Sequence, residues 1–307
     1  MKIAVIGTGG VGGYFGGLLA MAGHDVTFVA RGVHLEAILK NGLIVKSVNG
    51  DFTVKPAKAT NDIASIGLVD LVIVATKAWQ VKETAIQIKE IIGAETIVLP
   101  LQNGVLASDE LKEVLPSHNV ISGLCRIISK IESPGVIGHV AVEPTISFGE
   151  CDNSKHPRIQ KLDEAFKNAG FKSKIADDIQ VETWKKFIFI CTSAWLAITK
   201  STYGEIAECK ETRAVMFELI SEVANLARAR GVNIEADFAD KTLAICDALP
   251  YDSTSSLTRD VWEGKPTELE YQNGTVVRLA NEAGLDVPVN RFIYSSLLLM
   301  EKRARKL

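Results

Sequence analysis

Gly7-Thr8-Gly9-Gly10-Val11-Gly12 decides the reading of this chain. It is a G-x-G-x-x-G that follows directly on the β-branched run Lys2-Ile3-Ala4-Val5-Ile6 and opens an apolar-periodic stretch over residues 11–21. In a strand, turn and helix of this kind each glycine has its own purpose. Gly7 permits the tight turn, Gly9 lets backbone come close to a pyrophosphate, and Gly12 lets helix and strand pack, while the helix N-terminus offers N–H donors to the anion. The context predicts dinucleotide binding.

Working outward, β-branched runs at 2–6, 26–29, 68–75, 97–101 and 120–125 alternate with helical spacing at 11–21 and 81–92. That alternation predicts βαβ units feeding a parallel sheet. Gly23 and Gly93 stand where helix C-caps are expected. After Ser133-Pro134-Gly135, runs at 136–140 and 145–149 suggest antiparallel strands closing the edge of that sheet. From residue 181 the pattern turns helical, over 181–198, 211–230, 267–284 and 288–305, punctuated by Gly231, Gly284 and Pro288. A chain of 307 residues exceeds what one core usually supports. The expectation is an α/β protein, with a Rossmann dinucleotide-binding domain over 1–176 and an all-α domain over 177–307.

Composition narrows the class. Hydrophobic residues at 47% and charged residues at 23% describe a globular chain. The net charge of −3, from 34 basic and 37 acidic side chains mixed along the length, supplies no field for nucleic acid. Lys302-Arg303-Ala304-Arg305-Lys306 reads as a solvated helix end that favours its own dipole. The five cysteines stand far apart without a C-x-x-C pair, as reduced cytoplasmic thiols do, and suit neither a metal nor a redox site. The N-terminus has no signal-peptide pattern, and the apolar segment 187–198 is too short to span a bilayer. A soluble cytoplasmic protein without membrane or nucleic-acid partners is expected.

An NAD site usually carries an acidic residue at the end of the second strand. Here that strand ends Val29-Ala30-Arg31. A guanidinium welcomes a 2′-phosphate, so NADPH is the expected cofactor, although Arg31 also reads as a plain surface charge. Reduction of a ketone needs a proton donor near the carbonyl oxygen. Lys186, in Trp184-Lys185-Lys186-Phe187, sits at the mouth of an apolar helix, and Lys185 points about 100° away from it. Glu268, in Pro266-Thr267-Glu268-Leu269-Glu270, could accept from a substrate hydroxyl. Both segments read equally well as ordinary helix ends, and composition does not separate the readings.

Taken together, these residues resemble the ketopantoate reductases, which share a fold with 6-phosphogluconate dehydrogenase. The markers are the glycine turn, Arg31, Thr76-Lys77-Ala78-Trp79-Gln80-Val81, Leu101-Gln102-Asn103-Gly104, Trp184-Lys185-Lys186, Ser255-Ser256-Leu257-Thr258-Arg259-Asp260 and Thr267-Glu268-Leu269-Glu270. The resemblance implies that Arg31 and Lys77 contact the phosphate end of NADPH and that Asn103 lies beside nicotinamide and substrate. It makes Lys186 the catalytic lysine, places Glu268 near the substrate hydroxyl and gives the substrate carboxylate to Ser256. Two positions depart from the family pattern: Ile190 and Ser253 stand where asparagines are expected to line the substrate site. The resemblance thus implies reduction of 2-dehydropantoate to pantoate, in pantothenate and coenzyme A biosynthesis. The departures leave open a reductase of a different 2-oxo acid, or a regulator that holds NADPH without turning it over. Apolar faces in the helical half leave room for a homodimer.

Overall fold

The computed structural model describes residues 1–306. It divides into two units, one of Met1–Gln102 with Leu106–Ile179, the other of Asn103–Val105 with the chain from Gln180 onward.

In the first unit the elements are β1 (Lys2–Ile6), α1 (Gly10–Met21), β2 (Asp25–Val29), α2 (Gly32–Asn41), β3 (Leu43–Ser47), β4 (Phe52–Val54), β5 (Lys58–Thr60) and β6 (Val69–Val74). There follow α3 (Val81–Gln87), β7 (Ile92–Pro100), α4 (Ala107–Lys112), β8 (Ile121–Ser133), β9 (Val136–Glu150), α5 (Pro157–Asn168) and β10 (Lys172–Ile175). Five strands form a wholly parallel sheet in the order β5-β2-β1-β6-β7. Ile3, Val5, Leu71 and Ile73 face one apolar core with Phe15 and Phe28, while Ala4, Ile6, Val72 and Val74 face another with Val81 and Ile88. Burial on both faces explains why β1 and β6 are aliphatic without alternation. From β1 the chain steps outward through β2 to β5 and then returns to β6 on the other side. The carboxyl ends of β1 and β6 therefore flank the switch point, where such sheets open a ligand crevice.

The hairpin after Ser129 does not close the edge of this sheet, contrary to the sequence expectation. β8 pairs antiparallel with β9, and β9 lies in a second sheet ordered β10-β9-β3-β4. The register Ile44↔Val136 to Ser47↔His139 draws the hairpin onto β3. Rings of Phe148, Phe166, Phe171 and Phe15 fill the adjoining core. The two short strands expected at 136–140 and 145–149 are one strand with an irregularity at Val142, whose φ is 65°. His139 Nε2 donates there to the carbonyls of Ala141 and Val142 at 3.1 and 3.0 Å. Gly93 is likewise no helix cap. A 3-10 turn, Lys89–Ile91, runs straight into β7, and Gly93 lies in that strand with its N–H on Thr96 Oγ1 at 2.9 Å.

The second unit is helical: α6 (Ile179–Ile190), α7 (Ser193–Thr199), α8 (Tyr203–Glu208), α9 (Lys210–Ala229), α10 (Phe238–Asp247), α11 (Ser256–Trp262), α12 (Asn273–Glu282) and α13 (Pro288–Arg305). The expected helix over 181–198 breaks at Cys191–Thr192. Thr192 Oγ1 turns back to the carbonyl of Phe189 at 2.7 Å and competes with the helical ladder. The expected α-helix over 267–284 begins only at Asn273, and Glu268 stands instead at the start of a separate 3-10 turn, Leu269–Tyr271. α13 gains its cap from a neighbour: Val289 and Asn290 N–H both donate to the Glu222 carboxylate of α9 at 2.9 Å.

Candidate active site

At the carboxyl end of β1 the three outer constraints on the glycine turn are internal. A Cβ at Gly7, whose φ is +95°, would stand 2.8 Å from Thr76 N, and one at Gly12 would overlap the Gly7 carbonyl oxygen. A Cβ at Gly10 would meet the Ser129 carbonyl oxygen at 2.5 Å. Gly9 differs, because a Cβ there meets nothing within 4 Å. Its bareness keeps space open above the backbone, as a pyrophosphate requires. No side chain caps the N-terminus of α1, and its first turn holds no acidic residue. Its leading N–H groups thus form an anion site, and a dinucleotide phosphate fits.

Two cations stand at the ends of the strands on either side of β1. Arg31 follows β2 as the exposed N-cap of α2, whose first turn also lacks an acidic residue. Lys77 follows β6. Its Nζ lies 5.8 Å from the centroid of the Trp79 ring, and its backbone N–H bonds Gln80 Oε1 at 3.3 Å, so the Lys-Ala-Trp-Gln run is one folded turn. Gln102 links the end of β6 to the segment after β7. Its Nε2 donates to the carbonyls of Val74 and Thr76 at 3.0 and 3.1 Å.

The residues directly after Gln102 group with the helical unit. Asn103 Nδ2 donates to Glu268 Oε2 at 3.1 Å, which fixes the amide's orientation and leaves its oxygen as an acceptor. Gly104, at φ +109°, makes the turn possible, since a Cβ would press on the Tyr271 carbonyl oxygen at 3.0 Å. Glu268 is buried, and Thr267 before it and Glu270 two residues after it are both anchored. The Thr267 N–H lies 3.0 Å from Glu301 Oε2 and its hydroxyl donates to the same oxygen at 2.6 Å. Arg305 pairs with Glu301 through Nε and reaches the Thr267 carbonyl through Nη2 at 2.6 Å. On the other side Glu270 accepts from Tyr294 Oη at 2.6 Å and pairs with Arg278. Burial and the Glu270 carboxylate push the Tyr294 phenol up to about 12.

The two lysines of α6 separate cleanly. Lys185 Nζ pairs with Glu235 at 2.8 Å and lies 5.5 Å from the Phe238 ring centroid. Lys186 projects from a different face and is half-buried, and Ile190 follows it one turn later. Ser255 is the N-cap of α11, accepting from Thr258 N–H at 3.1 Å, whereas Ser256 is exposed. Thr258 Oγ1 in turn donates to the Ser193 carbonyl at 2.8 Å, which brings the start of α11 beside the start of α7. Ser253 is half-buried in a loop held by its backbone, its carbonyl accepting from Tyr203 N–H at 3.0 Å.

The first unit thus gathers the glycine turn, Arg31 and Lys77 at one edge of one sheet, and the second brings Asn103 to Glu268. Sequence reasoning missed Thr267, Glu301 and Arg305, whose partnership spans some thirty residues and leaves no local pattern. A polar depression of about 870 Å³ in the first unit, lined by Glu95, Lys112, His118, Cys151 and Arg158 among others, contains none of the candidate residues. Two of its cations are in ion pairs, Arg158 with Glu150 and Lys112 with Asp109. Among the described residues no helix is long and apolar enough to cross a membrane, and no cluster suits a metal ion.

Two family descriptions match the sequence: ketopantoate reductase PanE/ApbA over residues 3–153, and its C-terminal domain over 178–301. An uncharacterized oxidoreductase of Bacillus subtilis is 30% identical over 302 residues, which covers 98% of this chain and 99% of that one. A 2-dehydropantoate 2-reductase of Nostoc sp. is 30% identical over 311 residues, covering 99% and 96%. The crystal structure of a ketopantoate reductase of this family from Ralstonia eutropha superposes with a TM-score of 0.91 at 30% identity, covering 99% of this chain and 100% of that one. The chain belongs to the ketopantoate reductase family and is an oxidoreductase.

Proposed function

We propose that the protein reduces a small 2-oxo acid at the expense of NADPH, with 2-dehydropantoate and its product pantoate as the first pair to consider. The observation that carries this reading is the open backbone at Gly9 combined with Arg31, and no carboxylate, at the end of β2. A guanidinium there can fork onto a 2′-phosphate that an acidic residue would repel. Lys77, held against Trp79, adds a second cation at the same edge. When bound, the reduced nicotinamide supplies the hydride.

The protein's own residues do the rest. Lys186 gives a proton to the substrate's carbonyl oxygen as negative charge develops there. Asn103 stands beside the reacting centre with its amide oriented by Glu268, and Glu268 accepts from the substrate's own hydroxyl and so orients it. Ser256 faces the substrate carboxylate, with Ser253 nearby. The spaced cysteines suit a reducing cytoplasmic setting, where pantothenate and coenzyme A synthesis would use the product.

Ile190 and Ser253 favour a second reading, in which a different 2-oxo acid is preferred. Two absent amides remove hydrogen bonds worth about 0.5 to 1.5 kcal/mol each from a hydroxylated substrate. Both readings are tested by following NADPH consumption against ketopantoate, ketoisovalerate and bulkier 2-oxo acids. Turnover of ketopantoate with the highest kcat/KM supports the first reading, and a preference for an unhydroxylated acid supports the second. If no 2-oxo acid consumes NADPH, the protein is a binding protein and the proposal is wrong.

A further inference from the structure

We infer that His34 is a positioning residue of the dinucleotide site, which sets the plane of the Thr8–Gly9 peptide and so aims the Gly9 N–H at a bound phosphate. The inference rests on the proposed reading of the glycine turn and goes on to name what holds that turn in shape.

The ring of His34 bridges two distant segments. Gly135 N–H donates to Nδ1 at 3.0 Å, and a backbone amide can only donate, so Nδ1 carries the lone pair. The single proton of the neutral ring is then on Nε2, which lies 2.8 Å from the carbonyl oxygen of Thr8, an atom that can only accept. One tautomer satisfies both contacts. An added proton on Nδ1 would set it against the Gly135 N–H.

Thr8 is gripped on its other side as well. Its N–H and its hydroxyl both donate to the Val29 carbonyl, at 3.2 and 2.9 Å. With its amide and side chain turned toward the end of β2 and its carbonyl toward His34, the residue has little freedom left. A trans peptide is planar, so the Gly9 N–H must point opposite to the Thr8 carbonyl, away from His34. Gly9 is also the position above which the backbone is bare.

The bridge is anchored at its far end. Gly135, at φ +79°, sits so close to α2 that a Cβ would meet Ala37 Cβ at 3.0 Å, and its carbonyl accepts from Ile44 N–H at 3.0 Å. The hairpin turn therefore gives His34 a fixed partner. Since Arg31 is the N-cap of α2 and His34 lies in its first turn, one short piece of helix serves both ends of the phosphate site.

Three substitutions separate the ring's two contacts. His34→Gln keeps a donor that reaches as far as Nε2, His34→Asn keeps an acceptor where Nδ1 sits but falls short of Thr8, and His34→Phe keeps only the shape. Dissociation constants are measured by fluorescence titration for NADPH and for adenosine 2′-monophosphate, which carries the phosphate for Arg31 but no pyrophosphate. Melting temperatures are read alongside. The expected result is that Asn and Phe weaken NADPH about tenfold, the worth of a well-aimed donor to an anion, while Gln stays within about threefold of wild type. Affinity for the monophosphate is unchanged throughout. Equal NADPH affinity in all four proteins overturns the proposal, as does a parallel loss of both ligands that follows the melting temperature. A wild type that binds no NADPH overturns instead the dinucleotide reading on which the proposal stands.

Discussion

Replacing Glu301 by Gln removes one charge from a buried junction and leaves its volume unchanged. Glu301 keeps only 7% of its side chain in water and Arg305 21%. The carboxylate accepts from the N–H and hydroxyl of Thr267, the residue before Glu268, and pairs with Arg305. In the variant one acceptor oxygen becomes an NH₂ group facing donors, so at least one buried N–H or O–H is left without a partner. Breaking a buried pair from one side costs about 3–5 kcal/mol. The remaining amide oxygen and the exposed fifth of Arg305 reduce this to roughly 2–3 kcal/mol, by the same reasoning about solvent access. The urea midpoint should fall by about 1 M. Because Thr267 also receives the Leu269 N–H at 3.1 Å, loosening it frees Glu268, and kcat should fall about tenfold even in fully folded protein. Equilibrium unfolding and steady-state kinetics on the same preparation test both halves. A wild-type midpoint together with a wild-type kcat would refute the reasoning.

Lys186→Ala should lower kcat by about 10²- to 10⁴-fold, the usual worth of a general acid, whereas Lys185→Ala, which loses only a partly exposed pair with Glu235, should change kcat less than about threefold. Rates of NADPH consumption for the two variants settle the assignment, and equal losses would reverse it. Gly9→Ala should fold and melt like wild type yet bind NADPH more than about tenfold more weakly, because its methyl enters empty space meant for a phosphate; Gly12→Ala should lose about 1–3 kcal/mol of stability by overpacking. Calorimetry and fluorescence titration of the pair would expose an error if the two effects were exchanged. Burial pushes the Cys246 thiol up to about 12 and raises that of Cys191 as well, so neither forms thiolate near neutral pH. A disulfide reagent should therefore modify exposed Cys209 first in native protein and reach the buried thiols only after unfolding, as a time course with mass spectrometry would reveal.

The legible parts of this molecule are those whose cause is local. β1 and α13 fall on the residues that periodicity marks, and the glycine turn announces its strand and helix because Gly7 and Gly12 answer contacts within a few residues or at the end of the adjacent strand. Strand spacing alone assigns the hairpin to the wrong sheet, because it says nothing of a partner, and the partner, β3, lies about ninety residues upstream. The helical spacing from residue 267 is realised first as a short 3-10 turn after Glu268, and the partners that anchor Thr267, Glu301 and Arg305, lie more than thirty residues away. Lys185 and Lys186 are indistinguishable by neighbourhood, and the ion pair of Lys185 with Glu235, fifty residues on, leaves no trace in the local pattern. His34 gives no signal at all in sequence, since its two partners are 26 and 101 residues distant.

The account turns on Arg31 choosing the phosphorylated cofactor. Its most direct test is to titrate the wild-type protein and Arg31→Ala with NADPH and with NADH. Charge-assisted bonds to a 2′-phosphate should make NADPH bind wild type about ten- to hundredfold more tightly, with the gap erased in the variant. Equal affinities in the wild type, or a preference for NADH, would contradict it.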